Sequence, residues 1–205
     1  MKSSEQAKAV SRSDLARRAF ELFARDGFDG VSVEAVAAAC GVTKGSLYWH
    51  YSSKKELVLA ACSHYYRQWQ EEAHGMCFQG DSDLDRFRNL VEMCVKQCLF
   101  NERNRSFTAE LFAQALRDKD LLASWTQFVD TVELMLKRLF IAATQEQNVA
   151  VEHPEDRVRW MLSTIEGLKQ MALCVPDVVR DWNVDKITER LVDEALHLSG
   201  SVRTA

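Results

Sequence analysis

Two short amphipathic segments separated by a three-residue turn constrain the fold of this chain more than any other feature of its sequence. Ser32 is suited to cap the first segment, whose apolar positions recur at helical spacing. Thr43 is suited to cap the second, which runs to about His50. Only Cys40-Gly41-Val42 lies between them, and two short helices joined by such a glycine-containing turn form a helix-turn-helix. The sequence therefore predicts this motif at residues 32–50.

The rest of the chain also favours helices. Of its 205 residues 47% are hydrophobic, only two are proline, and no long tract alternates apolar and polar residues as a strand would. Ser11 and Asp14 have capping-box spacing and predict a first helix that stops at Gly27, and Ser53 with Glu56 predicts the start of a fourth. Further helices are predicted at about 83–101, 106–118, 121–147, 155–174 and 184–199. The expected fold class is all-α.

The distribution of charge suggests two domains with different partners. The net charge is −4, but residues 1–55 carry nine Lys and Arg against six Asp and Glu, and the remainder carries 17 against 24. A basic N-terminal part on an acidic body indicates that only the N-terminal part meets a polyanion. We expect a helix-turn-helix domain at residues 1–55, which binds DNA, and a larger helical domain at residues 56–205.

The third predicted helix has the composition of a helix that enters the major groove of DNA. Leu47 is its apolar anchor, and the positions around it are polar or amphipathic. Gly45 costs roughly 1 kcal/mol of helix propensity relative to alanine, which is understandable if a base or a phosphate comes close to the backbone. The alternative is an exposed polar turn with buried aromatic residues.

Residues 11–57 resemble the DNA-binding domain of the tetracycline-repressor (TetR) family. The matching features are Phe20-x-x-Phe23 before Gly27-Phe28, Val31-Ser32-Val33, Ala37-x-x-x-Gly41-Val42, Lys44-Gly45-Ser46-Leu47-Tyr48-x-His50-Tyr51 and Lys54-x-Glu56-Leu57. The resemblance implies a two-domain, all-α dimer that binds DNA through its small domain and an inducer through its large one.

The resemblance also implies roles for individual residues. Lys44, Gly45, Ser46 and Tyr48 would face bases or thymine methyl groups. Phosphates would be held by Tyr48, Trp49, His50 and Lys54, and by Ser32 and Thr43 at helix N-termini. Glu34 departs from members that place a basic residue there, and its carboxylate could either accept a hydrogen bond from a cytosine amino group or stabilise the start of its helix.

The last two predicted helices carry apolar stripes that suit a dimer interface. We expect Met161, Ile165, Leu168, Leu191 and Ala195 to take part in a four-helix bundle across a two-fold axis. The alternative is that both stripes pack within one chain. A homodimer is favoured because reading two operator half-sites requires two recognition helices.

Large aromatic residues in the middle of the chain suit an apolar ligand pocket. The candidates are Trp69, Phe107, Phe112, Trp125, Phe128 and Trp160. Taken singly, each is more simply interpreted as a core residue. The expected function is that of a one-component repressor, which binds a palindromic operator as a dimer and is released by a small, largely apolar or aromatic inducer. The alternatives are a DNA-binding protein without an inducer and a redox or electrophile sensor.

The sensor alternative depends on Cys94 and Cys98, which share one helix face. They are more simply interpreted as small buried apolar residues, and no CxxC pair or spaced histidine pair suggests a metal site. We expect neither a cofactor nor an enzymatic activity, since no nucleophile beside a base is apparent. The polar start of the chain and the lack of a long apolar segment predict a cytoplasmic protein.

Overall fold

The computed structural model describes residues 10–175, 177 and 180–197, and within them it contains helices and no strand. The predicted all-α fold class is therefore confirmed. None of the described helices is both long and apolar enough to span a membrane. The helices are α1 (Arg12–Gly30), α2 (Val33–Ala39), α3 (Lys44–His50), α4 (Lys54–Cys77), α5 (Asp83–Val95), the π-helix π1 (Lys96–Phe100), α6 (Glu102–Ala115), α7 (Lys119–Glu146), α8 (Pro154–Cys174) and α9 (Val184–His197).

The chain divides into two compact units, and the division falls within α4, between Gln68 and Trp69. The first unit holds α1 to α3 and the first part of α4. The second holds the end of α4 and all later helices. The functional boundary predicted at residues 55 and 56 stays a prediction.

In the first unit, α1 begins where the sequence predicts but continues past its expected end. The backbone N–H of Asp14 donates to Ser11 Oγ and that of Ser11 donates to Asp14 Oδ2, each at 3.1 Å, which completes the capping box. Gly27 adopts a φ of 76°, and a last turn follows this break up to Gly30. Because Phe28 is buried, the additional turn contributes to the core.

The core of the first unit is formed by apolar faces of its four helices. Phe20 of α1 is 1% exposed and stacks on Tyr65 of α4, with ring centroids 6.0 Å apart. Val36 of α2 and Leu47 of α3 are fully buried. The helix-turn-helix is thus fixed to a packed core through the apolar side of each helix.

In the second unit, the predicted helix at 83–101 is divided. Its first part is α5, which passes directly into π1. The π-helix ends where the backbone N–H of Asn101 donates to the carbonyl of Lys96 at 2.9 Å. The Asn101 side chain then accepts from the backbone N–H of Asn104 at 3.1 Å, which caps α6 four residues before its predicted start. Phe87 of α5 packs on Phe140 of α7, with 5.3 Å between ring centroids.

Candidate nucleic-acid interface

The helix α3 is positioned by its cap, its turn and one apolar anchor. Thr43 Oγ1 accepts from the backbone N–H of Ser46 at 3.1 Å. Gly41 has a φ of 68°, a conformation that favours glycine and lets the chain reverse between α2 and α3. Leu47 is fully buried, so the remaining sides of α3 face outward.

The outward sides of α3 hold the residues predicted to contact DNA. Trp49 is 84% exposed and Tyr48 is 40% exposed. The rings of Trp49 and His50 meet edge to face with 4.8 Å between centroids. Of the nine predicted DNA contacts, seven are exposed and two, His50 and Lys54, are partly exposed; the exposed ones are Ser32, Thr43, Lys44, Gly45, Ser46, Tyr48 and Trp49. They lie on α3 and at the starts of α2, α3 and α4.

Gly45 has no packing reason to be a glycine. A Cβ built at this position would meet only Thr43 Oγ1, at 3.9 Å, which is ordinary van der Waals contact. Gly45 is exposed and lies within a regular helix, where glycine is less favourable than alanine. The packing of the fold therefore does not require a glycine at this position.

Lys44 is paired within the chain. Its ammonium forms an ion pair with the carboxylate of Glu34 in the first turn of α2. The pair lowers the pKa of Glu34 and raises that of Lys44, in each case chiefly through their mutual hydrogen bond. Both side chains are more than half exposed, so the pair is weak. Glu34 thus forms an ion pair with Lys44, the lysine predicted to contact a base.

The start of α4 presents further backbone N–H groups beside Lys54. Ser53 Oγ accepts from the N–H of Glu56 at 3.1 Å. The Glu56 carboxylate accepts from the N–H of Ser52 at 2.7 Å, one residue earlier than a reciprocal capping box requires. Lys54, the first residue of α4, stands where the helix dipole also favours an anion.

Tyr51 is a positioning residue that the sequence analysis did not assign. It is 2% exposed, and its hydroxyl donates to the backbone carbonyl of Arg12 at 2.7 Å. The Arg12 guanidinium lies 4.7 Å from the centre of its ring. Burial raises the pKa of Tyr51. These contacts fix the end of α3 to the start of α1, and the tyrosine that closes the matched motif was the only signal for them in the sequence.

Three of the aromatic ligand candidates lie together in the second unit. The ring centroid of Phe128 lies 5.4 Å from that of Trp69 and 5.6 Å from that of Trp125. Trp69, Phe107 and Phe128 are buried, Trp125 is partly exposed, and Phe112 and Trp160 are 43% and 38% exposed. Phe112 and Trp160 therefore present part of their rings at the surface of the chain.

Most of the predicted dimer contacts are buried inside a single chain. Met161, Ile165, Leu191 and Ala195 are at most 3% exposed without a partner, and Leu168 is partly exposed. The burial of the first four is explained by packing within one chain, as the alternative interpretation held. A partner chain would have to contact residues other than these four.

The cysteines proposed as sensors are protected as thiols. Desolvation raises the pKa of Cys94, which is buried, well above its ordinary value, and raises that of Cys98, which is partly exposed, to about 12. Since the thiolate is the reactive form, neither side chain is activated at neutral pH. This favours the interpretation of both as packing residues.

Comparison with known proteins agrees with this geometry. Residues 10–61 match the model of bacterial regulatory proteins of the tetR family. The uncharacterized HTH-type transcriptional regulator YerO of Bacillus subtilis is 37% identical over 51 residues, which are 25% of this chain and 18% of that protein. The chain thus spans less than a fifth of the length of this relative.

Two solved structures share the fold over nearly the whole chain. One is a transcriptional regulator from Saccharomonospora viridis in complex with choline, with a TM-score of 0.77, 18% identity and coverage of 91% of this chain and 95% of that one. The other is the fatty acid degradation regulator FadR of Bacillus halodurans, with a TM-score of 0.70, 14% identity and coverage of 95% and 97%. At this identity the two likenesses show the fold alone.

Proposed function

Because residues 10–61 make this chain a member of the tetR family of bacterial regulatory proteins, we propose that it is a one-component transcriptional repressor. It binds a palindromic operator in double-stranded DNA as a homodimer, and a small, largely apolar or aromatic inducer releases it. It acts in the cytoplasm, needs no cofactor and catalyses no reaction.

The observation that carries DNA binding is the exposed side of α3. Gly45 leaves the backbone open to close approach, while Lys44, Ser46 and Tyr48 beside it can reach base edges. Trp49, His50, Lys54, Ser32 and Thr43 contact phosphates around it. Lys44 leaves Glu34 to contact a base, and the surface ion pair it gives up costs little.

Dimerisation uses an uncharged strip on the outer side of α8. Its members recur at intervals of four, three, four and three residues, as on a coiled-coil seam, and are Trp160, Thr164, Gly167, Met171 and Cys174. Trp160 is 38% exposed and Met171 is 45% exposed. A Cβ at Gly167 would meet nothing within 4 Å in its own chain, so a partner helix can come close there. Leu168 lies beside this strip, and the buried residues of α8 and α9 support it from within.

The inducer binds in the second unit beside the aromatic cluster of Trp69, Trp125 and Phe128. The helix α4 has residues in both units, so a ligand that displaces its second part also displaces the turn after α3. A differential affinity of a few kcal/mol between two dimer states is enough to empty an operator. Of the two solved structures that share the fold, one is in complex with choline and the other is a fatty acid degradation regulator.

Selection of DNA sites from a random pool, followed by footprinting, tests the proposal. We expect a palindromic site bound by a dimer, with an affinity that falls steeply with salt because phosphate contacts release counterions. A single asymmetric half-site, or an affinity that does not change with salt, would contradict it. The raised pKa of both thiols argues against the sensor alternative. Operator binding that no small molecule relieves would favour the alternative without an inducer.

A further inference from the structure

A lysine is buried in the interior of the second unit. Lys169 of α8 is 2% exposed and stands on the same helix face as the buried residues Met161, Ile165 and Ala172. Burial of an ammonium group is costly unless the group is paired and hydrogen-bonded. A charged residue on this apolar face therefore requires a reason.

Three helices surround the ammonium group. Lys169 Nζ is 2.5 Å from Glu166 Oε2 on its own helix, 3.5 Å from Thr108 Oγ1 of α6 and 5.6 Å from the ring centre of Trp125 of α7. The Thr108 hydroxyl donates to the carbonyl of Asn104 at 2.9 Å, so it is free to accept from Lys169. An ammonium has three N–H donors. In the described part of the chain, two protein oxygens accept from it.

Stability does not explain the pair with Glu166. A buried ion pair is often neutral or unfavourable compared with well-packed apolar residues of similar size. The two partners are also unequal, because Lys169 is 2% exposed whereas Glu166 is 44% exposed. The Glu166 carboxylate can return to water while the ammonium stays in the interior. The ammonium of Lys169 can therefore exchange Glu166 for another anionic partner.

Polar and apolar features meet at this point. Trp125 contacts both the ammonium and Phe128, which joins the charge to the aromatic cluster. Arg105 lies one turn before Thr108 on α6; its Nη1 donates to the carbonyl of Leu99, and within the described chain its buried Nε has no hydrogen-bond acceptor. A second donor thus lies on the same helix face as Thr108. A molecule with an anionic group and an apolar body matches this arrangement.

We propose that Lys169 binds the carboxylate of an amphipathic inducer, which replaces Glu166 as the partner of the ammonium while its apolar body packs on Trp125 and Phe128. This inference rests on the proposed ligand-controlled function and specifies its ligand class. A quaternary ammonium ligand is excluded from this position, because the ammonium of Lys169 already faces Trp125 and Glu166.

A matched set of compounds tests the ligand class on the full chain. The octyl, decyl and phenylbutyl skeletons are each used as the carboxylate, the primary alcohol and the trimethylammonium compound, and binding is measured by calorimetry and thermal shift. We expect at least one carboxylate to bind about tenfold or more tightly than its alcohol, as a charge-assisted hydrogen bond would give. Equal or tighter binding by the alcohols or the cations, or no binding by any carboxylate, would overturn the proposal.

Two variants distinguish a role of Lys169 in ligand recognition from a role in the stability of the fold. Lys169→Met is expected to bring carboxylate binding down to the level of the alcohol without lowering the melting temperature. Glu166→Gln is expected to strengthen carboxylate binding, because it removes the competing anion. Since Glu166 is partly exposed, this second variant keeps the test valid if Lys169→Met does not fold. Lys96→Met, at an exposed lysine paired with Glu92, is the control and should change nothing.

The outcome can be distinguished from failure of the proposed function. Operator binding by the native chain is measured on the selected DNA site without any ligand, and its absence contradicts the proposed function. Intact operator binding combined with a carboxylate preference that survives Lys169→Met overturns only the assignment of Lys169. Weaker carboxylate binding after Glu166→Gln would also overturn it, because the glutamate would then be part of the site and not a competitor.

Discussion

At the scale of single residues, Gly45 allows the stability of the fold to be separated from contact with DNA. Gly45→Ala should raise the free energy of unfolding by roughly 0.5–1 kcal/mol, because alanine is the better helix former and its Cβ meets only Thr43 Oγ1 at 3.9 Å. The same methyl group should lower operator affinity, since it occupies the space that a base or phosphate approaches. Urea unfolding and fluorescence anisotropy with labelled operator measure the two effects.

The matched control is Gly75→Ala. Gly75 is also exposed and lies within a helix, α4, and a Cβ there would meet nothing within 4 Å. This variant should be stabilised to a similar extent and should bind operator as the native chain does. If Gly45→Ala binds operator equally well, the glycine does not serve close approach to DNA.

Cys62 makes stability depend on pH in the alkaline range. Burial raises the pKa of its thiol from 9.0 to about 12, so the folded chain holds the proton more tightly than the unfolded chain. This contribution to stability is complete below pH 9.0 and is lost as the pH rises towards about 12. Urea unfolding between these limits should show falling stability, with a smaller slope for Cys62→Ala.

Residue roles that depend on local signals could be predicted from the sequence, and those that depend on distant contacts could not. The caps at Ser32 and Thr43 form where they were predicted. The ion pair of Lys44 with Glu34 joins two helices, so no local pattern indicates it. Lys169 is an intermediate case: it follows Ile165 by four residues on a buried face, and the interruption of that apolar spacing was a signal that the sequence analysis passed over.

At the scale of helices, the elements with strong boundary residues were predicted most closely. The turn between α2 and α3 follows from Gly41, which has the positive φ that such a turn needs. The division of the helix predicted at 83–101 was missed, because a π-helix of five residues adds to the helical pattern without a breaker. Asn101 then begins α6 through its side chain, although it stands within a sequence of ordinary helix formers.

The starts of α3 and α4 should differ in what they read. Lys44→Ala is expected to relax base preference at one or two operator positions, with a cost of about 1–3 kcal/mol there. Lys54→Ala is expected to weaken binding to all sequences about equally and to reduce the salt slope by roughly 1, because it loses one phosphate contact. Site selection and binding at several salt concentrations distinguish the two.

The ion pair of Lys44 supplies a control for this assignment. Glu34→Gln removes the intramolecular partner and should leave base preference as it is in the native chain, with equal or tighter binding. Identical specificity profiles for Lys44→Ala and Lys54→Ala would show that the division of roles between the two helices is wrong.

At the scale of the whole molecule, apolar helix faces could be identified from the sequence, but whether the same chain, a ligand or a partner chain covers them could not. Helical spacing placed Met161 and Ile165 on an apolar face of α8, and in the structure that face packs within its own chain. Helical spacing also cannot distinguish an aromatic residue of the core, such as the buried Phe107, from an aromatic residue that lines a ligand site, because both kinds of residue lie on buried helix faces. Exposure in the folded chain was needed to find the uncharged strip that includes Trp160 and Met171 on the other side of α8.

This strip provides the test of the dimer. Met171 is 45% exposed, and Met171→Glu places a charge within the proposed seam, where a like charge from the partner chain opposes it. The variant should be a monomer by light scattering and should lose most of its operator affinity, because a monomer reads only one half-site. Leu122→Glu, at a leucine of α7 that is 46% exposed, should remain a dimer with native affinity. If Leu122→Glu dissociates the protein and Met171→Glu does not, the interface lies on α7 and the assignment of α8 is wrong.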